Sequence, residues 1–228
     1  MPFHTRLLGK DRLALYSFIH SLSTNFGSAI FEPVAIALAN VRFEKALKQR
    51  TAGTKISTEA HHIIQEIMNG LETANSTPDK KSEIEKIREV CQKGKMNNVG
   101  LTKVDIWLEN NNELFLFDLK TAKPNAGGFK EFKRTLLEWT AAILAINPKA
   151  KVNTYIAIPY NPYEPEPYKR WTMRGMLDLE NELKVGKEFW DFIGGDGTYE
   201  ELLNCFEKVG IEMRTEIDNY FNRFRSLK

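Results

Sequence analysis

Two aspartates and a lysine, Asp105, Asp118 and Lys120, lie in two neighbouring apolar segments of the sequence. Aliphatic, aromatic and β-branched residues dominate both segments, at 104–109 and 113–120, so each is predicted to be a strand. Successive side chains of a strand point to opposite faces, so Asp118 and Lys120 share one face. Two carboxylates and an ammonium group on one rigid ribbon can hold a divalent metal and activate a water molecule for hydrolysis.

The turn between the two strands decides whether these side chains meet. Asn110, Asn111 and Asn112 separate the strands, and asparagine tolerates the positive φ that tight hairpin turns require. With Asn111 and Asn112 as a two-residue loop, Asp105 lies directly opposite Asp118, and their Cβ atoms are about 5 Å apart. A register shifted by one residue would turn Asp105 to the other face of the sheet.

An acidic residue two positions before a lysine occurs four times in the chain, and only Asp118 with Lys120 lies on a predicted strand. The other three pairs fall on predicted helices or turns, where positions i and i+2 point apart. A simple surface ion pair, Asp118 with Lys120 or Asp105 with Lys103, is the alternative interpretation, because it also satisfies the carboxylates.

The segments before the hairpin are predicted to be helices, at 11–22, 30–48, 56–73 and from Pro78 to Cys91. The helix at 30–48 is apolar on several sides, which indicates burial, and Glu32 stands at its start. If the Glu32 carboxylate points at the core, it needs a metal or a lysine as partner. The alternative is that Glu32 is a surface residue at the helix N-terminus, where the helix macrodipole favours an acid. Glu59 and Glu66, on the polar face of 56–73, are the other candidates to complete the site, and an ordinary solvated helix face is the preferred interpretation of their spacing.

The segments after the hairpin predict a strand–helix–strand unit. A patterned helix spans 129–146, Pro148 ends it, and an apolar strand follows at 152–158. Such a crossover is right-handed and makes strands 113–120 and 152–158 parallel. The expected fold is therefore α/β, with a mixed sheet flanked by helices. We expect one domain over 1–228, with a core at about 27–160 and a helical C-terminal part at about 175–228.

Basic residues collect just after the predicted hairpin. Between positions 120 and 134, five basic residues stand against one acid, although the formal net charge of the chain is only +2. Such a segment beside the site would attract a polyanion, and a solvated surface with patchy charge is the alternative. The candidate contacts are Lys123, Asn125, Lys130, Lys133 and Arg134. A loop rich in proline and tyrosine adds three more candidates, Lys169, Arg170 and Arg174. The alternative is that this loop is a structured connection without contacts to the substrate.

Composition narrows the class of protein. Of 228 residues, 42% are hydrophobic and 27% charged, as in ordinary globular domains. No apolar run reaches the roughly 18 residues of a membrane span, and the N-terminal segment lacks the apolar stretch of a signal peptide. Cys91 and Cys205 are far apart in sequence, which favours two free thiols in a reducing, cytoplasmic protein.

Val104-Asp105, the hairpin and Asp118-Leu119-Lys120 resemble the PD-(D/E)xK nuclease signature, with Val104 where that family has a loosely kept proline. The segment 27–32 is similar to the family's upstream helix with its glutamate. Segments 188–195 and 198–203 resemble parts of type II restriction endonucleases, including the group that cuts interrupted GG/CC palindromes. The resemblance implies a restriction-endonuclease-like core.

The resemblance also implies how the site works. Asp105 and Asp118 would hold Mg²⁺, which Mn²⁺ can replace, with help from the Leu119 backbone carbonyl. Lys120 would orient and help deprotonate the attacking water. Glu32 would either bind a second metal ion or contact a ligand of the first one. The resemblance is compatible with one metal ion or two.

The implied substrate is double-stranded DNA, cut at a specific sequence by a homodimer that acts beside a cognate DNA methyltransferase and binds no membrane. The alternatives are a structure-selective or repair nuclease of the same fold and a non-catalytic DNA-binding protein. A small-molecule enzyme or an interaction protein is the third alternative.

Overall fold

The computed structural model describes residues 2–120, 128–168 and 171–225. Its strands are β1 (Lys45–Arg50), β2 (Lys55–Ser57), β3 (Met96–Asn98), β4 (Val104–Asn110), β5 (Glu113–Leu119), β6 (Lys151–Ile158) and β7 (Leu183–Val185). The described helices are α1 (Pro2–Leu8), α2 (Lys10–Phe26), α3 (Glu32–Ala39), α4 (Thr58–Glu72), α5 (Lys80–Val90), α6 (Gly128–Ile146), α7 (Trp171–Arg174), α8 (Leu179–Glu182), α9 (Lys187–Gly194), α10 (Thr198–Glu212) and α11 (Arg214–Arg225). A π-helical turn, Gly27–Phe31, joins α2 to α3.

The β4–β5 hairpin has the predicted register. Asn110 lies opposite Glu113 and Ile106 opposite Phe117, so the next pair along the ladder is Asp105 with Asp118. Asn111 and Asn112 have φ values of 50° and 62°, as a two-residue turn of this kind requires. The prediction that the hairpin brings the two aspartates together is confirmed.

The sheet is mixed, as predicted. Its strand order is β1-β4-β5-β6-β7, and β2 pairs separately with β3. β1, β4 and β5 are antiparallel neighbours, while β6 lies parallel to β5 after the α6 crossover. β7 extends the parallel half. That short strand lies in a segment that the sequence analysis predicted to be helical, because three residues are too few to show a strand pattern.

The helix predicted at 30–48 is wrong in its second half. α3 ends at Ala39, and residues 45–50 form the strand β1, with Leu47 opposite Trp107 of β4. Alanine, leucine and lysine favour helix by intrinsic propensity. Here the pairing with β4 overrides that propensity, because β1 covers the edge that the hairpin would otherwise expose.

Helices cover both faces of the sheet and create two cores. On one face, α6 packs against the sheet and α4 and α5 pack against α6, with Phe129, Leu136 and Trp139 fully buried. On the other face, α3 and α9 pack against β4 and β5, where Trp190 joins Phe117. The β4–β5 hairpin is therefore held between two apolar layers.

Within the described residues, the helical run Lys10–Ala39 is long and apolar enough to cross a membrane, judged by length and composition, and 17% of its most apolar window is buried. The sequence analysis did not anticipate this run. Its second half is a core helix, because Glu32, Ala35 and Ala39 are buried. Its first half, α2, keeps every residue at least partly exposed.

Candidate active site

The hairpin places Asp105, Asp118 and Lys120 together at the end of β4 and β5. Lys120 Nζ lies 2.7 Å from Asp118 Oδ1. The backbone N–H of Leu119 donates to Asp105 Oδ2 at 2.7 Å. The backbone N–H of Lys120 donates to the Ala157 carbonyl of β6 at 2.9 Å, so the parallel strand also fixes this end of the hairpin.

Burial sets the electrostatics of Asp118, whose residue is only 4% exposed. Desolvation raises the pKa of Asp118 to about 6, against the lowering effect of Lys120, and the neighbouring Asp105 raises the pKa further. At neutral pH this carboxyl is much closer to protonation than an ordinary aspartate. A divalent cation beside it would favour the ionised form.

The ammonium group of Lys120 has two partners. Besides the ion pair with Asp118, its Nζ lies 4.9 Å from the centroid of the Phe132 ring on α6, within the range of a cation–π interaction. The lysine side chain is 28% exposed. It is therefore held in place and still open to a substrate.

Glu32 reaches the same site from the start of α3. Glu32 is 6% exposed, and burial raises the pKa of its carboxyl. Gln49 Nε2 donates to Glu32 Oε2 at 3.0 Å and to Asp105 Oδ1 at 2.9 Å. Of the three candidate glutamates, the structure brings Glu32 beside Asp105, whereas Glu66 lines a different cavity with the start of α5, and Glu59 lies beside Gly94.

A cavity of about 320 Å³ opens over these groups. Glu32, Asp105, Leu119 and Lys120 line one side of it. The C-terminal end of α2 and the segment Pro159–Tyr160, just after β6, line the other side. The cavity gives a substrate access to the ends of the hairpin strands.

The donor set fits a metal that keeps part of its water shell. Among residues 2–120, 128–168 and 171–225, no three Asp, Glu, His or Cys side chains are close enough together to form a metal cage. Asp105 and Asp118 offer carboxylate oxygens, and the Leu119 carbonyl lies between Asp118 and Lys120 in sequence. Mg²⁺ commonly binds through one or two carboxylates, waters and substrate phosphate, which suits this set.

The prediction that Lys133 contacts DNA is wrong. Lys133 is fully buried and its Nζ lies 2.5 Å from Glu83 and 2.7 Å from Glu182. Lys80 completes this buried ion cluster through Glu182 at 3.1 Å. α6 packs against α5 as well as the sheet, so the Lys133 side chain is covered on this side of the helix and cannot reach a ligand.

The other predicted DNA contacts lie in different places. Lys130 pairs with Glu72 at 2.9 Å, and Arg134 donates to Gln65 at 3.0 Å, so both lie against α4. Arg174 is exposed on α7. The predicted contacts outside the described residues are Lys123, Asn125, Lys169 and Arg170.

Sequence reasoning missed Gln49. The side chain links two acids of the site, and its backbone has a φ of 54°, which is unusual for a residue other than glycine. Treating residues 45–50 as a helix hid it. Recognition of β1 as a partner of β4 would have placed Gln49 opposite Asp105 and so revealed it.

Comparison with known proteins agrees with the geometry. The model of the family described as type II restriction endonuclease, HinfI, matches residues 1–210. The type II restriction enzyme MjaII of Methanocaldococcus jannaschii is 27% identical over an alignment 251 residues long. The alignment covers 98% of this chain and 66% of MjaII. HgiCII of Herpetosiphon aurantiacus is 28% identical over 222 residues, covering 95% of this chain and 80% of HgiCII.

A third type II restriction enzyme, HgiEI of Herpetosiphon aurantiacus, is 29% identical over an alignment 230 residues long. The alignment covers 95% of this chain and 79% of HgiEI. No solved structure matches the chain at a significant level. Because the family model covers nearly the whole sequence, the chain belongs to the HinfI family of type II restriction endonucleases, sequence-specific enzymes that cut DNA.

Proposed function

We propose that this endonuclease hydrolyses phosphodiester bonds of double-stranded DNA with Mg²⁺ at a site formed by Asp105, Asp118 and Lys120. The observation that carries the proposal is the pairing of Asp105 opposite Asp118, with Lys120 Nζ 2.7 Å from Asp118, below an open cavity. Mn²⁺ should replace Mg²⁺, because it prefers the same oxygen ligands.

Each residue has a role in the hydrolysis. Asp105 and Asp118 would hold the cation, and the Leu119 carbonyl would be a further ligand. Bound Mg²⁺ supplies a Lewis acid for the phosphate and lowers the pKa of water. Lys120 orients the water, favours loss of its proton to solvent through the positive charge of the ammonium group, and stabilises the negative charge that builds up on the phosphate. The water oxygen bonds to phosphorus as the P–O bond breaks, and the leaving oxygen takes up a proton.

DNA binding requires cations and polar groups around the cavity. We assign phosphate or base contacts to Lys123, Asn125, Lys130, Arg134, Lys169, Arg170 and Arg174. Arginine can bind guanine edges and asparagine adenine edges, so both types can contribute to sequence recognition. Recognition of an interrupted palindrome with GG and CC ends is part of the proposal, and it rests on the sequence resemblance alone.

A palindromic target calls for a twofold homodimer, and we assign the interface to the apolar face of α1 and α2. Large apolar side chains are exposed there, including Phe3 at 84%, Leu7 at 82% and Ile19 at 53%. One partner of a standard interface contributes about 800 Å², and a face with several such exposed apolar side chains suits that role. Ser23 and Thr24 of α2 line the catalytic cavity, so the second copy would lie next to the site.

The setting of the enzyme follows from its class. It would act in the cytoplasm beside a cognate DNA methyltransferase, as one nuclease domain over residues 1–228. Cys91 and Cys205 are free thiols, as a reducing compartment favours.

Incubation of the protein with phage DNA and Mg²⁺ tests the proposal. We expect discrete fragments from the wild type and no cleavage by Asp118→Ala or Lys120→Ala, while both variants still bind DNA in Ca²⁺. Glu85→Ala, at an exposed carboxylate of α5, serves as the control and should cut normally. Full activity in both site variants would overturn the assignment, and a smear of fragments would indicate a nuclease without sequence specificity. The fragment ends test the GG/CC assignment.

A further inference from the structure

Gln49 lies opposite Asp105 at the end of β1. Lys48 pairs with Ile106 and Arg50 with Val104, so the register puts Gln49 across from Asp105. The Gln49 amide nitrogen is 3.0 Å from Glu32 Oε2 and 2.9 Å from Asp105 Oδ1. One neutral side chain therefore connects two carboxylates that come from different elements.

The backbone at Gln49 is strained. Its φ of 54° lies in the left-handed region, where a residue with a Cβ is disfavoured. Such strain persists only where the surrounding structure fixes the residue, and it concentrates at functional sites. The two hydrogen bonds that the Gln49 side chain donates to Glu32 and Asp105 offset this backbone strain.

An amide NH₂ group has two hydrogens, and each points to one carboxylate oxygen in this arrangement. A cation that joined Glu32 Oε2 to Asp105 Oδ1 would have to lie between these two oxygens, where the amide nitrogen is. Gln49 therefore occupies the position that a second metal would need. The part of the chain that the structure describes also holds no cluster of three metal-binding side chains that would include Glu32.

We propose that Gln49 takes the place of a second cation, so that the site binds one metal at Asp105 and Asp118, and Glu32 acts as a positioning residue through Gln49. The inference rests on the proposed function of that site. Glu32 would then hold the Gln49 amide instead of binding metal itself.

The arrangement fixes Asp105 before a metal arrives. Gln49 donates to its Oδ1, and the Leu119 N–H donates to its Oδ2. Both oxygens keep a lone pair for a cation, but the plane of the carboxylate can no longer turn. Partners of metal ligands of this kind typically change metal affinity by about 10–100-fold when they are removed.

The test is a Mn²⁺ titration of the full-length protein, with free Mn²⁺ counted by electron paramagnetic resonance. We expect one ion per wild-type chain and none in the site of Asp118→Ala. Glu32→Gln and Gln49→Ala should keep the single ion, bound about 10–100-fold more weakly. Gln49→Glu adds a third carboxylate beside Glu32 and Asp105 and should bind two ions. Thermal melts of each variant confirm that it is folded.

The outcomes separate this inference from the proposed function. Two ions per wild-type chain, one of them lost in Glu32→Gln, would overturn the role of Gln49 and leave Asp105 and Asp118 as a metal site. Unchanged affinity in both Gln49→Ala and Glu32→Gln would overturn it as well. Mn²⁺ binding that does not depend on Asp118 would overturn the proposed function itself, and this inference with it.

Discussion

The backbone N–H of Leu119 donates a 2.7 Å hydrogen bond to Oδ2 of Asp105, across the end of the β4–β5 hairpin. Leu119 separates Asp118 from Lys120, so this bond ties one aspartate to the segment that carries the other two site residues. The relative position of the three groups therefore depends on the backbone of two paired strands and needs no metal to set it. Such preorganisation keeps the geometry of a site ready for its ligand.

Asp118→Asn is expected to stabilise the metal-free protein at pH 8. Burial raises the pKa of Asp118 from 3.8 to about 6, so the folded state binds this proton more tightly than the unfolded state does. The free energy of unfolding therefore falls as the pH rises from about 4 to about 6, by on the order of 2–3 kcal/mol. Asparagine removes that loss. Thermal melts in EDTA at pH 8 and pH 4 measure it.

The increase in the free energy of unfolding from Asp118→Asn should shrink at pH 4, because the buried wild-type carboxyl is then protonated and uncharged, as asparagine is. Asp196→Asn, at an exposed aspartate, provides the control and should change little at either pH. A wild type more stable than Asp118→Asn at pH 8 in EDTA would contradict the burial of a charged Asp118.

Lys133→Met is expected to destabilise the fold. The substitution leaves Glu83 and Glu182 buried, and among the described residues Lys80 then remains as the cation that pairs with Glu182. Removal of one partner from a buried ion cluster costs about 3–5 kcal/mol. Urea unfolding measures the loss. Lys130→Met, at a lysine of the same helix that is 55% exposed, is the matched control and should stay within about 0.5 kcal/mol of the wild type.

A stable Lys133→Met protein that had lost DNA affinity would reverse this conclusion. Lys133 would then have to be accessible to DNA in solution, against its complete burial in the structure.

Leu7→Glu together with Ile19→Glu is expected to convert a dimer into a folded monomer. Each change puts a charge into the apolar face of α1 and α2, where the dimer would have to desolvate it. Light scattering should show half the wild-type mass. Cleavage of a palindromic site should fall at low protein concentration. Val41→Glu, at an apolar residue that is 85% exposed outside these helices, is the control and should remain dimeric.

A monomeric wild type would rule out this interface, and so would a double variant that stays dimeric. Co-sedimentation of the wild type with lipid vesicles, lost in the double variant, would mean that the apolar face binds a membrane instead of a second copy.

Asn112→Val is expected to weaken the hairpin, and Asn112→Gly to preserve it. Asn112 has a φ of 62°, which glycine adopts freely and a β-branched residue does not. We expect valine to lower the free energy of unfolding by about 1–3 kcal/mol. Thermal melts measure this loss, and cleavage assays report on the register of Asp105. Equal stability of the two variants would show that the turn does not require positive φ.

The hairpin could be predicted from sequence because its information is local. Two apolar strands, three asparagines and the three charged residues of the site lie within a short segment, and the alternation of side chains fixes which of them share a face. The parallel strand after α6 followed for a similar reason, since the handedness of the crossover leaves one arrangement.

Two features of the site depend on contacts between distant segments, and local patterns could not show them. Residues 45–50 have the composition of a helix, and only the edge of β4 makes them a strand, which hid Gln49. Lys133 follows the polar pattern of an exposed helix face. Its burial arises because Glu83 and Glu182, both far away in sequence, supply the compensating charges.

The position of the hairpin in the sheet bears on how the enzyme fails when it is heated. β4 is bonded to β1 and β5, and β5 to β4 and β6, so neither strand of the hairpin lies at an edge. Amide protons of such central strands exchange with solvent mainly through global unfolding, whereas helices with little buried surface open earlier. Local opening of α2 would therefore precede any disorder at Asp105 and Asp118. The chemical groups of this enzyme belong to the part of the protein that unfolds last.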